Sequence, residues 1–198
     1  MVILTKTMQK IVTVLLKDLH THTATTLSHE LHMSRQGTWK IIRQLEQEEL
    51  LILKQIGKGK TSLQVPTLNW VNVLLEKILS LSLTQEAFNH KRWLHNFADL
   101  EKQVDFFILY GSILHSPKEA NDIDVLGVAP EKNLSKINDL LLQVQETQAK
   151  KIHAVNLTSY ELKQELKKPN RAFLDALKRG VVLFGQETFV RFMKGLQI

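Results

Sequence analysis

The segment 109-LYGSILHSPKEANDIDVLGV-128 places a Gly-Ser pair nine residues before two aspartates that are separated by one residue. The apolar run VDFFILY leads into the Gly-Ser pair, and DIDVLGVA follows it. Side chains two apart along a strand point to the same face, so Asp122 and Asp124 project together while Ile123 packs the other way. The segment therefore predicts a strand, a small turn, and a second strand that begins with two carboxylates on one face.

Two carboxylates on one face favour a divalent-cation site. Magnesium takes oxygen ligands, usually one or two carboxylates plus water and substrate phosphates. Gly111 has no Cβ, so backbone amides can approach a phosphate there, and the hydroxyl of Ser112 adds a donor. The segment thus predicts a phosphate-binding turn next to a site for Mg²⁺ or Mn²⁺. The alternative is an ordinary turn followed by an acidic strand edge that faces water.

From Val104 onward the pattern alternates between strand and helix, which indicates an α/β layer. The predicted strands are VDFFILYG, DIDVLGVA, KIHAVNL and VVLFG, and the predicted helices are LSKINDLLLQVQETQAK, SYELKQELKK, NRAFLDALKRG and the C-terminal segment.

The first part of the chain predicts three helices followed by a hairpin, the order of a winged helix-turn-helix domain. Ser34 is placed to cap the third helix, and residues spaced three and four apart form its inward stripe, Thr38, Ile42 and Leu45 with Ile41 beside them. The stripe leaves five residues toward solvent: Arg35, Gln36, Lys40, Arg43 and Gln44. Two further helices are predicted in residues 68–102, with Thr84 as the cap between them.

The segment LSHELHMSRQGTWKIIRQLEQEELLIL resembles prokaryotic winged-helix DNA-binding domains over roughly residues 5–68. The residues expected to contact double-stranded DNA are Arg35, Gln36, Lys40 and Arg43 on the third helix and Lys58 and Lys60 on the hairpin. Phosphate contacts by the basic residues would make binding salt-sensitive, whereas Arg35, Gln36 and Lys40 are placed to read base edges. Glu49 departs from the pattern, which usually has glycine there, so a differently built turn is expected. The alternative to DNA contact is that the basic residues of the third helix and the hairpin form an ordinary surface that faces water.

The Gly-Ser pair, its spacing to Asp-x-Asp, and the tail AVNLTSYELKQEL with FLDALKRGVVLFGQETF resemble the minimal members of the nucleotidyltransferase superfamily over about residues 86–198. The resemblance implies that Gly111 and Ser112 hold the β and γ phosphates and that Asp122 and Asp124 are catalytic metal ligands. The family often supplies a third carboxylate from a later strand, but KIHAVNL has none. The polar residues nearest that role are His153 and Asn156, with Glu161 as a distant substitute.

The resemblance implies metal-dependent transfer of a nucleoside monophosphate, AMP from ATP, onto a hydroxyl acceptor. Some similar enzymes are antitoxins that nucleotidylate a partner toxin, so a protein side chain is one implied acceptor. The DNA-binding half would bring the enzyme to a promoter or regulate it. The alternative, favoured by the missing acid, is a transcription regulator whose nucleotidyltransferase domain is catalytically silent and serves as a nucleotide sensor or dimerisation platform.

The composition fits these expectations. The 198 residues carry a formal net charge of +6, which favours a polyanionic partner, and no cysteine, so nothing points to an oxidising compartment and the cytoplasm is the default. The N-terminal stretch reads as an amphipathic helix rather than a signal peptide or membrane span. The histidines His20, His22, His29 and His32 read as solvated or helix-end residues rather than zinc ligands.

The sequence as a whole predicts an α+β protein with a winged helix-turn-helix domain at 1–68, a connecting helix at 69–85, and a small α/β nucleotidyltransferase domain with a mixed sheet at 86–198. Winged-helix regulators are usually symmetric dimers, but no segment of the sequence identifies an interface.

Overall fold

The computed structural model of the protein describes residues 4–57, 62–168 and 171–197. Over these residues the fold is α+β, as expected from the sequence. The elements in chain order are α1 (Lys6–Lys17), α2 (Ala24–Glu30), α3 (Arg35–Gln47), β1 (Leu51–Ile56), β2 (Leu63–Leu68), α4 (Val73–Phe88), α5 (Lys91–Asn96), β3 (Phe106–Tyr110), β4 (Asp122–Val128), α6 (Leu134–Glu146), β5 (Lys151–Leu157), α7 (Ser159–Glu165), α8 (Arg171–Arg179), β6 (Val181–Phe184) and α9 (Gln186–Gln197). No helix within the described ranges is long and apolar enough to cross a membrane.

The chain divides into two compact units. The first contains residues up to Ser82 together with the C-terminal residues from Met193, and the second runs from Leu83 to Phe192. The boundaries therefore fall inside α4 and inside α9, so each of these helices contributes residues to both units.

The first unit contains three helices followed by a two-stranded antiparallel ribbon. Each helix begins at a hydroxyl cap that satisfies an amide of its first turn: Thr5 accepts from the amide of Met8, and Thr23 forms a reciprocal capping box with Thr26. Ser34 caps α3, with its Oγ 3.1 Å from the amide of Gly37, which confirms the predicted start of that helix. In the ribbon β1 pairs with β2 in the register that joins Leu51 to Leu68.

Helix α3 buries the face that its sequence predicts. Thr38, Ile42 and Leu45 are fully buried, and Ile41 beside them is half-buried. The buried hydroxyl of Thr38 donates to the carbonyl of Ser34 at 3.1 Å, so its polar atom is satisfied inside the helix. The stripe holds α3 against its own unit and leaves the opposite face in solvent.

The turn between α3 and β1 passes through Glu49 with a φ of 57°. This is the left-handed conformation that glycine adopts without strain, and for other residues it costs roughly 1–2 kcal/mol. The carbonyl of Glu49 accepts from the amide groups of Asn69 and Asn72, with Nδ2–O distances of 2.7 and 3.2 Å. These two bonds help to hold the glutamate in a backbone conformation that normally favours glycine.

Helix α4 runs without interruption from Val73 to Phe88. Thr84 lies inside it, so the expectation that Thr84 caps the start of a separate helix is wrong. Leu83 and Ala87 are both buried, so the apolar periodicity continues through Thr84 and the helix gains packing by extending past it. The next helix, α5, begins only at Lys91.

The second unit is built on a four-stranded sheet with the order β5-β4-β3-β6. Strand β3 is antiparallel to β4 and to β6, whereas β4 and β5 are parallel. The mixed sheet is therefore confirmed, as are the four predicted strands and the helices between them. Because β3 ends where β4 begins and β5 begins beside β4, their residues Tyr110, Asp122 and Lys151 meet at one end of the sheet.

The sheet is covered on both faces. On one face Ile123 and Val125 join the buried cluster that includes Ile137 and Leu141 of α6. On the other face Phe106 contacts Phe189 and Phe192 of α9, with ring centroids 5.4 and 5.3 Å apart. Burial on both sides fixes the strands, so the polar residues at the end of the sheet are held by a rigid frame.

Candidate functional site

Two carboxylates and an imidazole meet at the end of the sheet where β4 begins. Asp122 and Asp124 lie on one face of β4, and His153 of β5 is the register partner of Asp124. Nδ1 of His153 is 3.2 Å from Oδ2 of Asp122 and 3.8 Å from Oδ1 of Asp124. Among the residues that the structure describes, this is the one group of three Asp, Glu or His side chains whose ligand atoms all lie within 4.8 Å of one another.

The three side chains, called here the carboxylate–histidine cluster, are open to solvent. The exposed fractions are 32% for the Asp122 side chain, 27% for Asp124 and 49% for His153. A metal ion or a substrate can therefore reach the cluster without any movement of the fold.

The turn before the cluster depends on glycine. Gly111 has φ 81° and ψ −166°, a region that is essentially restricted to glycine. A Cβ placed on Gly111 would also collide with Oδ2 of Asp124. The predicted Gly-Ser turn and the predicted carboxylate pair are thus in direct contact, and Ser112, which is exposed, begins a 3₁₀ turn beside them.

Burial and charge repulsion both raise pKa values in and beside the carboxylate–histidine cluster. Partial burial raises the pKa of Asp124, the negative charge of Asp122 raises this pKa further, and His153 opposes the shift. Burial also raises the pKa of the Tyr110 hydroxyl, with added contributions from Asp124 and Asp122. Burial is the larger cause of both pKa shifts, and the smaller part that comes from repulsion by the carboxylates is the part that a bound cation would relieve.

Sequence reasoning did not identify Tyr110 and Lys150 as parts of this site. Tyr110 is the register partner of Asp124 across the β3–β4 ladder, which places the two on the same face. The ammonium group of Lys150 donates to the carbonyl of Ala120 and, at 3.3 Å, to that of Lys118. Lys150 thereby anchors the loop that precedes Asp122. Strand alternation could have suggested Tyr110, whereas no local signal marks Lys150.

The other two candidates for a third ligand are engaged elsewhere. Asn156 donates to Oδ1 of Asn138 on α6 at 2.8 Å, and its own Oδ1 packs against Gly127, on the opposite face of the sheet from Asp124. Glu161 completes a capping box, because its Oε2 accepts from the amide and the hydroxyl of Thr158, each at 2.8 Å. These hydrogen bonds lower the pKa of Glu161. His153 is therefore the residue that joins the two aspartates.

The donor set combines two carboxylates with one imidazole. Carboxylate oxygens suit Mg²⁺ and Mn²⁺, and an imidazole nitrogen suits the transition metals better than it suits magnesium. Asp122, Asp124 and His153 could hold a metal ion together.

The residues expected to contact DNA lie on the outer face of α3 where they are described. Arg35, Gln36, Lys40 and Arg43 are all exposed. Arg43 forms an ion pair with Glu46, with an Nη1–Oε2 distance of 2.5 Å, so part of its charge is neutralised within the helix. The hairpin residues Lys58 and Lys60 lie outside the described residues.

Two of the N-terminal histidines, His20 and His22, form a second cluster around an aspartate that sequence reasoning did not consider, and we call it the closed cluster. Oδ2 of Asp18 accepts from Nε2 of His22 at 3.0 Å, and Oδ1 accepts from the ring Nδ1 of His20 at 2.8 Å. His22 and Asp18 are buried, so the expectation of a solvated histidine is wrong for His22. It holds for His29 and His32, which are both exposed.

The turn after β3 and the strand register thus bring Gly111, Ser112, Asp122 and Asp124 together with His153. The exposed face of α3 is a separate feature that belongs to the first unit.

Comparisons of the chain with protein-family models, with curated proteins and with solved structures found no match.

Proposed function

We propose that the protein is a metal-dependent nucleotidyltransferase that moves a nucleoside monophosphate, AMP from ATP, onto a hydroxyl acceptor. The observation that carries the proposal is the contact between Gly111 and the carboxylate of Asp124, beside Asp122 and His153. A phosphate-binding turn and a metal-ligand cluster are two halves of a site for a metal–nucleotide complex, and in this chain they touch.

Each residue has a role that follows from its position. Asp122 and Asp124 would hold Mg²⁺ or Mn²⁺, and the ion would supply neutralisation of the charge on the triphosphate. Gly111 lets the backbone come close to a phosphate, and the Ser112 hydroxyl donates to a phosphate oxygen. In the transfer, a bond forms between the acceptor oxygen and the α-phosphorus, the bond from that phosphorus to the bridging oxygen breaks, and pyrophosphate leaves.

In this proposal His153 stands in for the third acid that nucleotidyltransferases often have. Through Nδ1 it faces Asp122, and half of its side chain is exposed, so its second nitrogen is accessible from solvent. A neutral imidazole can act as a general base, and His153 is therefore our candidate for the group that accepts the proton of the acceptor hydroxyl.

The first unit, in this proposal, is a winged helix-turn-helix domain that binds double-stranded DNA. The order of three helices and a ribbon, the capped helix α3 and its exposed row of Arg35, Gln36 and Lys40 support it. DNA affinity should fall steeply as salt rises if these residues contact phosphates. The acceptor is proposed by the family resemblance alone: a tyrosine, serine or threonine of a partner protein, as in toxin–antitoxin pairs.

A second candidate function has its own supporting observation. Strand β5 contains no acid, and Glu161 is committed to capping α7. A transcription regulator with a catalytically silent second unit, which binds nucleotide or mediates dimerisation, fits a cluster with only two carboxylates.

The deciding experiment is incorporation of label from α-phosphate-labelled ATP, GTP, CTP and UTP, with Mg²⁺ or Mn²⁺, into the protein itself and into a lysate of its source. The control is the Asp122→Asn/Asp124→Asn double variant, checked for folding by circular dichroism. Label that requires both aspartates supports the transferase and identifies the base. No label from folded wild-type protein rejects the transferase, and a change of DNA affinity on adding nucleotide would then support the silent regulator.

A further inference from the structure

Helix α4 carries apolar side chains on two opposite faces. Leu75 and Leu79 are fully buried in the protein. On the opposite side Leu74 and Leu81 are 51% and 56% exposed, and Ile78 between them is half-buried. A helix with an apolar face on both sides is normally covered on both sides. The outer face of α4 is therefore apolar surface that the described chain leaves in contact with water.

The exposed residues follow the spacing of a helix–helix contact. On α4, Leu74, Ile78 and Leu81 are separated by four and three residues, which is the repeat of the seam between two paired helices, and Val71 lies in the turn just before α4. We call these four residues the α4 seam. Val71 is 88% exposed, and Val73 next to the seam is 82% exposed. An apolar patch of a few hundred Å² is about as large as the largest patch on a typical monomer, and such a patch is often functional.

We infer that two copies of this chain pair through the α4 seam as a homodimer. A seam of this period is self-complementary, because the same side chains can interdigitate with those of an identical helix related by a two-fold axis. The inference does not depend on the proposed nucleotidyl transfer, since the seam lies wholly within the first unit.

The charges around the seam fit a second copy better than a polyanion. Of the five exposed residues between positions 71 and 81, four are apolar and the fifth is Lys77. Glu76 points back into its own unit, where its Oε1 is 2.6 Å from Nζ of Lys194. Nucleic acid needs several cations in a row, which the seam lacks. Lys77 takes the flanking position, next to Ile78, that charged residues occupy in paired helices.

The apolar area is of the size that a reversible dimer requires. One fully exposed Val or Leu side chain offers on the order of 100 Å² of apolar surface, so Val71, Val73, Leu74 and Leu81 together offer roughly 300 Å² per protomer. A standard interface buries about 800 Å² per partner, of which a little over half is apolar. The seam and Val73 thus supply roughly two thirds of that apolar share, which is the size expected of a weak, reversible dimer.

The test is sedimentation velocity of the full chain between about 1 and 100 μM, the range that brackets micromolar dissociation constants. Wild-type protein should shift from monomer to dimer as the concentration rises. The double variant Leu74→Glu/Leu81→Glu should stay monomeric, because four carboxylates would face one another across the two-fold axis. The matched control is Leu142→Glu, a leucine on α6 that is 67% exposed, which should dimerise as wild type does.

A second measurement uses the absence of cysteine from the chain. Ile78→Cys, in the middle of the seam, should form a covalent dimer on mild oxidation, and Leu142→Cys should not. A monomeric wild type at the highest concentration would overturn the inference. So would a Leu74→Glu/Leu81→Glu variant that is folded and still dimeric, because another surface would then hold the two copies.

Discussion

The protein uses the same two residue types, aspartate and histidine, in two clusters with opposite character. Around Asp18, both carboxylate oxygens accept from imidazole nitrogens, and the Asp18 and His22 side chains are only 4% and 7% exposed. Around Asp124, two carboxylates share one imidazole, the group is open to solvent, and the pKa of Asp124 is raised by burial and by Asp122.

The difference separates a structural cluster from a candidate functional site. A buried charge that is fully hydrogen-bonded helps to define the fold, and breaking it is costly. A carboxylate pair that repels itself at an accessible edge lowers stability slightly and is able to bind a cation. The two clusters should therefore respond to mutation in opposite ways, and four predictions use that contrast.

The largest effect is expected for Asp124→Asn on the proposed nucleotidyl transfer. Loss of one metal-ligand carboxylate should lower the rate on the order of 10³-fold or more, while the protein stays folded. Label incorporation measures the rate, and Mn²⁺ electron paramagnetic resonance measures metal binding. The control is Asp139→Asn, an exposed aspartate on α6. A variant with wild-type rate would remove Asp124 from the site.

The second-largest effect is expected on the free energy of unfolding when the closed cluster around Asp18 is broken. Asp18→Ala leaves the buried ring of His22 without its acceptor and should lower the free energy of unfolding by about 2–4 kcal/mol. Urea unfolding measures it. His20→Ala is the control, since that side chain is 77% exposed, and its cost should stay under about 1 kcal/mol. Equal losses in the two variants would contradict the closed character of this cluster.

Gly111→Ala should combine a stability loss with a site defect. Its backbone conformation is essentially restricted to glycine, so we expect a loss of about 1–3 kcal/mol. The added methyl group also displaces the carboxylate of Asp124, so Mn²⁺ affinity should fall even under conditions in which the variant is fully folded. Gly195→Ala, at an exposed position within α9, is the matched control and should leave metal affinity unchanged. Unaltered Mn²⁺ binding by folded Gly111→Ala would show that the turn and the cluster are independent.

The smallest effect is a pH dependence of stability without metal. Because the folded-state pKa of Asp124 lies above its ordinary value of 3.8, the folded protein binds this proton more tightly than the unfolded chain does. Ionised Asp124 therefore lowers the free energy of unfolding, and this loss develops as pH rises from 3.8 through the folded-state pKa. Asp124→Asn should be more stable than wild type by up to about 1 kcal/mol near pH 7, and the gain should shrink near pH 4. Paired urea titrations at the two pH values test this, and a loss of stability near pH 7 would show that Asp124 is structurally satisfied.

Much of the fold was predictable because its signals are local. Ser34 caps α3 through an amide three residues away, and the stripe of Thr38, Ile42 and Leu45 repeats with the helical period. Thr84 misled the prediction for a related reason. A hydroxyl residue is a good helix cap in isolation, but the buried neighbours Leu83 and Ala87 make continuation of α4 more favourable.

The candidate site was predictable in part. Asp122 and Asp124 share a face because strand alternation requires it, and the turn glycine is visible eleven residues before Asp122. His153 lies 29 residues after Asp124 and joins the aspartates only because β5 pairs with β4 in the observed parallel register. Asn156, three residues further along the same strand, points to the opposite face for the same reason.

The sequence by itself determined the strands, the Ser34 cap of α3, the carboxylate pair and the spacing of the apolar residues in α4, because each depends on residues within one or two turns or on strand alternation. Only the tertiary structure decided which polar groups meet. Strand order and register brought His153 to the aspartates and the Asp124 carboxylate against Gly111, and helix packing buried one face of α4 while leaving the seam exposed. These pairings join residues far apart in the chain, where they depend on the packing of the whole core rather than on local pattern.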